Sequence, residues 1–440
     1  MSDIALSTIF LIVAMLVLLC SGMWIFLALT FLGALGLWWV AGFPIDRIGL
    51  LLQTTFWNSS KMWELSAVPL FVWMGEIYYR TNLAAELFRG IAPLIKWLPG
   101  KLLHSNVIGC TAFAAVSGSS AATTATIARI TLPVLAASGY SRNLALGSLA
   151  GAGTLGILIP PSTALIIYGV LAEVSIADLF VAGIVPGLMV AGLSSLFIMI
   201  VALINPSVAG SVQSERGDSD RVSFLSLLSD VVPTASVFVV IMGSIYLGLA
   251  TPSESAAIGL AMTVVIAALK RRFSFAVLAQ ALASAIRTSC MVCILLVSAA
   301  FLTSAMSFMH LPNQIADAIG QMHLPPLQLI LILAVFYLVL GIVVDGLPIM
   351  VMTLPFVYPL VTALGYDPLW LGIFIILNIE MGMISPPVGL NLFVLKGLTG
   401  ESIGRIGFAA LPFFAVMCVV TALISIFPEL VLWLPSLAIN

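Results

Sequence analysis

Apolar runs long enough to cross a bilayer core, roughly 17 to 25 residues, follow one another from end to end of this chain. Where a run is uninterrupted it predicts a simple crossing. Such crossings fall near 4–20, 24–41, 64–80, 177–204, 230–250, 253–270, 287–309 and 403–437. Four other runs carry polar or helix-breaking residues in their middle. Residues 102–138 and 327–361 are split by "SGSSAATT" (Ser117 to Thr124) and "DGLPIM" (Asp345 to Met350), and each reads as a helical hairpin that enters and leaves on one side. Residues 142–171 and 368–397 are split by "GILIPPS" and "GMISPPV", and each reads as a broken helix. One polar stretch, Asn205 to Arg221, divides the chain almost in half.

The two halves repeat. Adding 226 to a position in the first half carries Pro99 onto Pro325, Pro133 onto Pro359 and Gly139-Tyr140 onto Gly365-Tyr366. The same offset carries Gly156 onto Gly382 and Pro160-Pro161 onto Pro386-Pro387, and it places Asp345 where the first half has Ser119. Apolar positions match by chance, but prolines and glycines at one fixed offset mark an internal repeat. The predicted organisation is a first repeat over 1–204, a cytoplasmic linker over 205–229 and a second repeat over 230–440.

Charge then orients the chain. With the N-terminus outside and each split hairpin entering and leaving on one side, the inner face receives Arg80, Arg89, Lys96, Lys101, Arg142, Arg216, Arg221, Lys270, Arg271, Arg272, Arg287, Lys396 and Arg405. The outer face receives only Arg47 and Lys61, and Arg129 stays within the first hairpin. That asymmetry satisfies the positive-inside rule. It makes the first hairpin open inward and the second outward, so the repeats are inverted and both termini are periplasmic. The competing topology reads 102–138 as two crossings with an outer loop, and it leaves "SGSS" without a purpose.

Proline lacks the N–H that a helix ladder needs and clashes with the preceding turn. In hydrocarbon each freed backbone group is costly, so unwound backbone survives only when buried by protein or lining a cavity. Two such breaks at matching places in inverted halves are the pattern of a secondary-transporter site near the bilayer midplane. Carbonyls before the breaks (153–159 and 379–385) are hard oxygen ligands suited to Na⁺, and amides at the helix N-termini after the breaks and tips attract anions. An anion together with sodium is the economical ligand set. The candidate substrate contacts are Ser119, Ser120, Thr123 and Pro161 in the first half, and Asp345, Gly346, Pro387 and Asn391 in the second.

Each candidate has a plainer reading. Ser119 and Asp345 are also good N-caps by residue type. Glu380, a carboxylate in the second broken helix, is functional or paired in the interior. Glu76 and Glu254 suit structural pairing, and Arg129 suits pairing with a neighbouring helix or snorkelling inward. Composition narrows the field further. The chain is 62% hydrophobic and 8% charged, against about 25% charged in soluble proteins, and its net charge of −2 with three histidines argues against nucleic acid or a metal. Cysteines 20, 110, 290, 293 and 418 sit in apolar runs, and Cys290-x-x-Cys293 without a second pair reads as packing. No GxxxxGK[ST] phosphate loop occurs.

The stretch Val343 to Gly400, with "VVDGLPIM" and "NIEMGMISPPVGLN", and its first-half counterpart Ser117 to Ser162 resemble the large, DctM-like membrane subunit of tripartite ATP-independent periplasmic (TRAP) transporters. The resemblance covers essentially the whole chain. It implies an all-α polytopic membrane protein of two inverted repeats in the bacterial inner membrane. It also implies an elevator in which the hairpins and broken helices move against a scaffold, with Na⁺ as coupling ion and no other cofactor. The cargo would be an organic acid (a C4-dicarboxylate, a sialic acid or another carboxylate) delivered by a soluble periplasmic binding protein. A small four-helix membrane subunit is implied as a separate chain, since the first apolar run begins at Ile4. Carried over by motif, the cation sites use Ser119, Gly153 and Ile159 in the first half and Asp345, Gly382 and Ser385 in the second. Three rivals remain. A stand-alone sodium–dicarboxylate symporter needs no binding protein. An intramembrane hydrolase lacks GxGD and GxSG motifs here. A passive channel would not need inverted broken helices.

Overall fold

The computed structural model describes residues 14, 17–18, 21–95, 97–210, 224–312, 314 and 325–438. The predicted crossing at 4–20 lies almost wholly outside the described residues, as do Cys20, Lys96, Arg216, Arg221 and most of the central polar stretch. The described chain is helical, with one isolated bridge between Tyr140 and Ala209. Its first half runs through α1 (Ile25–Trp39), α2 (Ile45–Ser60), α3 (Ala67–Arg80), α4 (Leu83–Ile91), α5 (His104–Ser117), α6 (Ser120–Ala137), α7 (Arg142–Gly153), the short α8 (Leu155–Leu158), α9 (Thr163–Ala172) and α10 (Ile176–Ile204). The second half runs through α11 (Phe224–Tyr246), α12 (Pro252–Leu269), α13 (Phe275–Phe308), α14 (Pro326–Val343), α15 (Gly346–Thr362), α16 (Pro368–Met383), α17 (Leu390–Thr399), α18 (Ile403–Ile426) and α19 (Glu429–Ala438). Six of the described helices are long and apolar enough to cross a membrane, and α7–α8 with α9 forms a seventh span bent by 42°.

Local chemistry sets the boundaries that matter. The first hairpin turns at Gly118, whose φ of +58° suits glycine, and Ser119 then caps α6 by accepting from the Ala122 amide. The second turns at Val344–Asp345, with Asp345 Oδ1 accepting from the Gly346 amide at 2.7 Å. Both proline pairs interrupt helices where expected: α8 stops at Leu158 and α9 resumes at Thr163, while α16 stops at Met383 and α17 resumes at Leu390. Both Pro-Pro bonds are cis.

The packing pairs off across the 226-residue offset. The segment after the first break, α9, packs on α15 and α16; the segment after the second break, α17, packs on α6 and α7. Likewise α1 packs on α13 while α12 packs on α3, and α10 packs on α16 while α18 packs on α7. Each broken helix is therefore completed by the hairpin of the other half. Trp370 fixes α16 in this arrangement: it is fully buried, stacked between Tyr366 and Phe374 at 4.5 and 5.0 Å, and its indole N–H donates to the Ile424 carbonyl of α18 at 2.8 Å. Close approach of α7 to α18 uses Gly147 and Gly151, where a Cβ would meet the Ala409 carbonyl and the Phe413 side chain.

Three predicted segments change. The crossing placed at 287–309 is the second part of a 34-residue helix that begins at Phe275, because Arg287 is tolerated within it. The run 403–437 is two helices, parted around Phe427–Pro428, since a proline disfavours helix at the residue before it. The crossing at 230–250 stops at Tyr246, with Gly248 in a left-handed turn. The pattern also missed α2 and α4, too polar or too short to register as crossings. Yet α2 packs on α13 and α4 on α11.

Candidate functional site

The N-termini of α6 and α15 converge on one cavity of about 400 Å³. Residues 119–122 line it from the first hairpin and 345–347 from the second. Both helices exceed four turns, so each presents amide N–H groups and a positive dipole end to the same space. Ser117, Ile157, Thr163, Met383 and Leu390 close the side formed by the hairpins and broken helices. The opposite wall comes from α3 (Val72, Gly75, Glu76, Tyr79) and α13 (Thr288, Met291). The cavity thus lies on the boundary between the hairpin-and-break elements and the helices packed outside them.

Of the substrate candidates read from sequence, Ser119, Ser120, Asp345 and Gly346 line this cavity. Asp345 is exposed to it and Ser119 half-buried. The others sit behind the lining. Thr123 is fully buried and shares a 2.6 Å hydrogen bond with Ser117. Pro161 lies under the first tip, its carbonyl 3.6 Å from where a Gly118 Cβ would stand. Pro387 is exposed at the second break. Asn391 is fully buried on α17, and neither of its side-chain polar atoms has a partner among the described residues.

Of the cation candidates, Ser119 and Asp345 line the cavity, and the other four lie around the breaks. Gly153 packs on Thr124, whose Oγ1 occupies the place of a Cβ and has no hydrogen-bond partner among the described residues. Gly156 packs on the Ser119 carbonyl and the Ser120 backbone, which presses the first break against the first tip. Ile159 is extended, at φ −79° and ψ 127°, and its side chain packs where Gly187 leaves room. Gly382 meets Gly341 of α14 backbone to backbone. The Ser385 hydroxyl donates to the Met381 carbonyl at 2.7 Å.

Glu380 joins the two halves. It is fully buried, and the Ser120 hydroxyl at the first tip donates to its Oε1, while Oε2 has no partner among the described residues. A buried carboxylate is costly unless paired, and the bond from Ser120 links the first hairpin, at the cavity, to the second broken helix behind it. Among the described residues no group of three or more His, Cys, Asp or Glu gathers to hold a metal, and Cys290 and Cys293 are both free.

Sequence reasoning missed the outer wall. Glu76 pairs with Arg80 at 2.9 Å, as expected of structural pairing, yet it also faces the cavity. Arg129 donates to the Tyr79 hydroxyl of α3 at 2.7 Å, so it pairs with a neighbouring helix and props a lining residue. Glu254 closes a capping box with Thr251. Nothing in the local pattern separates Thr288 or Met291 from other residues of an apolar helix; only packing does.

Matched against known proteins, residues 12–430 fit the family described as the tripartite ATP-independent periplasmic transporter, DctM component. The chain belongs to this family. It is 31% identical over 408 residues, 92% of this chain and 93% of the relative, to the C4-dicarboxylate TRAP transporter large permease protein DctM of Pseudomonas aeruginosa. It is 30% identical over 388 residues, 88% of this chain and 60% of the relative, to the isethionate TRAP transporter permease protein DctMQ of Oleidesulfovibrio alaskensis. Among solved structures, the YdaH transporter of Alcanivorax borkumensis superposes with a TM-score of 0.64 at 14% identity, over 88% of this chain and 90% of that one, a likeness of fold. The resemblance read from the sequence is borne out: the protein is a TRAP transporter large permease subunit, a multi-pass inner-membrane protein and not an enzyme, and the hydrolase rival falls away. The family implies a periplasmic binding protein and a small membrane subunit as partners.

Proposed function

We propose that this permease subunit imports an organic anion by sodium-coupled secondary transport, the cargo being released into the cavity by its periplasmic binding protein. The observation that carries the reading is the convergence of two helix N-termini, 119–122 and 345–347, on one cavity. Amide groups there recognise a carboxylate or sulfonate without a fixed cationic side chain, and both named relatives take substrates of that kind, a C4-dicarboxylate and isethionate. Sodium would occupy the breaks behind the cavity, held by Ser119, Gly153 and Ile159 on one side and by Asp345, Gly382 and Ser385 on the other. Thr124 Oγ1 against Gly153 and the buried Asn391 amide on α17, both without partners among the described residues, support polar ligation at this depth.

In this reading the chain consists of two inverted repeats. The paired exchange of contacts across the 226-residue offset supports it, as does the placing of the cavity between α3–α13 and the hairpins, which suits an elevator boundary. Each elementary charge moved through about 100 mV supplies roughly 2.3 kcal/mol, so cotransport of more than one Na⁺ per anion drives accumulation.

The first test needs no substrate. Melting temperature of the purified protein is measured in Na⁺, K⁺ and choline at equal ionic strength. A saturable rise specific to Na⁺ is expected; identical melting in the three cations overturns sodium coupling. Uptake by liposomes is then expected to require Na⁺, the small subunit and the binding protein together. Na⁺-driven uptake without the soluble component would instead establish the stand-alone symporter.

A further inference from the structure

A second cavity, about 440 Å³, runs between α4, α5, the first break, α10 and α11. Its walls include Leu87, Ala112, Pro160, Leu188 and Phe238. The Thr111 hydroxyl within it bonds the Val107 carbonyl of its own helix at 2.8 Å. Such a surface gives a polar ligand little to hold and suits a hydrocarbon chain. Along α11 the groove extends from Val231 to Tyr246, about 22 Å at the rise of a helix. That is enough to span the roughly 15 Å of hydrocarbon in one leaflet.

One end of the groove adjoins a basic cluster. Glu86, the residue before Leu87, holds Arg272 at 2.7 Å, Lys270 at 3.0 Å and Arg89 at 3.8 Å. Lys270 also donates to the Ser229 carbonyl at 2.9 Å, two residues before Val231. Arg271 stands between two members of the cluster in sequence, and Asp230 follows Ser229; among the described residues the carboxylate paired with the cluster is Glu86. Among the described residues Arg89, Lys270, Arg271 and Arg272 outnumber Glu86 and Asp230 here, an excess of positive charge at the end of an apolar groove.

We infer that the groove is a binding site for an anionic phospholipid, with one acyl chain along α11 and the phosphate against the cluster of Arg89, Lys270, Arg271 and Arg272. Charge and shape both select this occupant. A phospholipid joins an apolar chain to an anionic phosphate, as the site joins an apolar groove to a basic cluster at its end. Because Pro160 belongs to the first break, the lipid touches the broken helix on one side and α4 and α11 on the other.

The test is native mass spectrometry of the full chain in detergent, titrated with phosphatidylglycerol or with phosphatidylethanolamine of the same acyl composition. Retention of phosphatidylglycerol over phosphatidylethanolamine is expected. Ala235→Trp, which fills the groove from an exposed lining position, abolishes it. Val239→Trp, on the same helix but outside the groove and 63% exposed, leaves it intact. Arg89→Gln with Arg271→Gln weakens it about 30-fold, the usual strength of two basic residues against an anionic lipid surface. Equal retention of the two lipids overturns the proposal, as does phosphatidylglycerol binding that Ala235→Trp leaves unchanged. Thermal melts confirm folding of each variant, and Leu188→Trp, at a lining residue 57% exposed, replaces Ala235→Trp should that variant melt early.

Discussion

The two helix breaks share a proline pair and a preceding glycine but are finished differently. At the first, every residue from Gly156 to Thr163 is buried. The Ser162 hydroxyl bonds the Ile157 carbonyl and caps α9, and the Thr163 hydroxyl ties the break to the first tip through the Gly118 carbonyl at 2.8 Å. At the second, the positions matching Ser162 and Thr163 are Val388 and Gly389. Pro386, Pro387 and Val388 are exposed, and Gly389, at the N-cap of α17, offers no side-chain hydrogen bond. After its prolines the first break satisfies freed backbone with the hydroxyls of Ser162 and Thr163. At the second the Ser385 hydroxyl does so only before the prolines, on the Met381 carbonyl, and the residues after them are left to whatever reaches them. Unwound backbone in a membrane protein needs one solution or the other, and this chain uses both.

Crowding at the matched glycines is the largest effect that tests this contrast. Gly156→Ala drives a Cβ within 2.6 Å of the Ser119 carbonyl, and Gly382→Ala drives one within 2.5 Å of Gly341 Cα. Neither obstacle is a flexible side chain, so each substitution is expected to destabilise by about 1–3 kcal/mol, read as a lowered melting temperature. Equal tolerance of both would show that neither break is tightly seated. Next, Ser120→Ala removes the one hydrogen bond described for Glu380; about 2 kcal/mol is expected to be lost, and Glu380→Gln in the same background should restore part of it. If Ser120→Ala melts like the parent, the link between the halves contributes nothing.

A smaller effect separates the breaks directly. Thr163→Val is expected to cost about 1 kcal/mol by leaving the Gly118 carbonyl unpaired, whereas Val388→Thr at the exposed second break should change stability by less than about 0.5 kcal/mol. Comparable losses at both sites would erase the distinction drawn here. The smallest stability change is expected at Asp345→Asn. Asparagine caps a helix about as well as aspartate, so melting without Na⁺ should be nearly unchanged, while the Na⁺-dependent rise should shrink. Loss of basal stability with the Na⁺ response intact would make Asp345 a cap and nothing more.

The hairpin tips and breaks were legible because glycine, proline, serine and aspartate are rare punctuation in an apolar chain, and each acts through local backbone chemistry. The predicted turn at Ser119 and the interruptions at Pro160 and Pro386 fall where the structure has them. The long helix from Phe275 and the split after Ile426 were less legible, since Arg287 and Pro428 each admit more than one local outcome. Within the site, Ser119, Ser120, Asp345 and Gly346 announced themselves by lying at the tips. Tyr79, Thr288 and Met291 did not, because a residue on an unbroken helix carries no mark of which neighbour it faces. Glu380 stood out as a carboxylate in an apolar run, but its partner across 260 residues could not be read from spacing.

The sequence by itself determined that the chain is a membrane-spanning helical protein, where its helices are interrupted, and which family it belongs to. Those properties follow from hydropathy, from the missing amide of proline and from motif residues in order, all of them local. Tertiary structure decided which interruptions meet. It brought the N-termini of α6 and α15 to one cavity, set α9 and α17 each against the other half's hairpin, and gave the first break hydroxyl contacts after its prolines where the second has Val388 and Gly389. Such choices depend on side-chain volume and backbone approach between segments hundreds of residues apart, as at Gly156 on Ser119 and Gly382 on Gly341, and an apolar sequence offers too few distinguishing residues to specify them pair by pair.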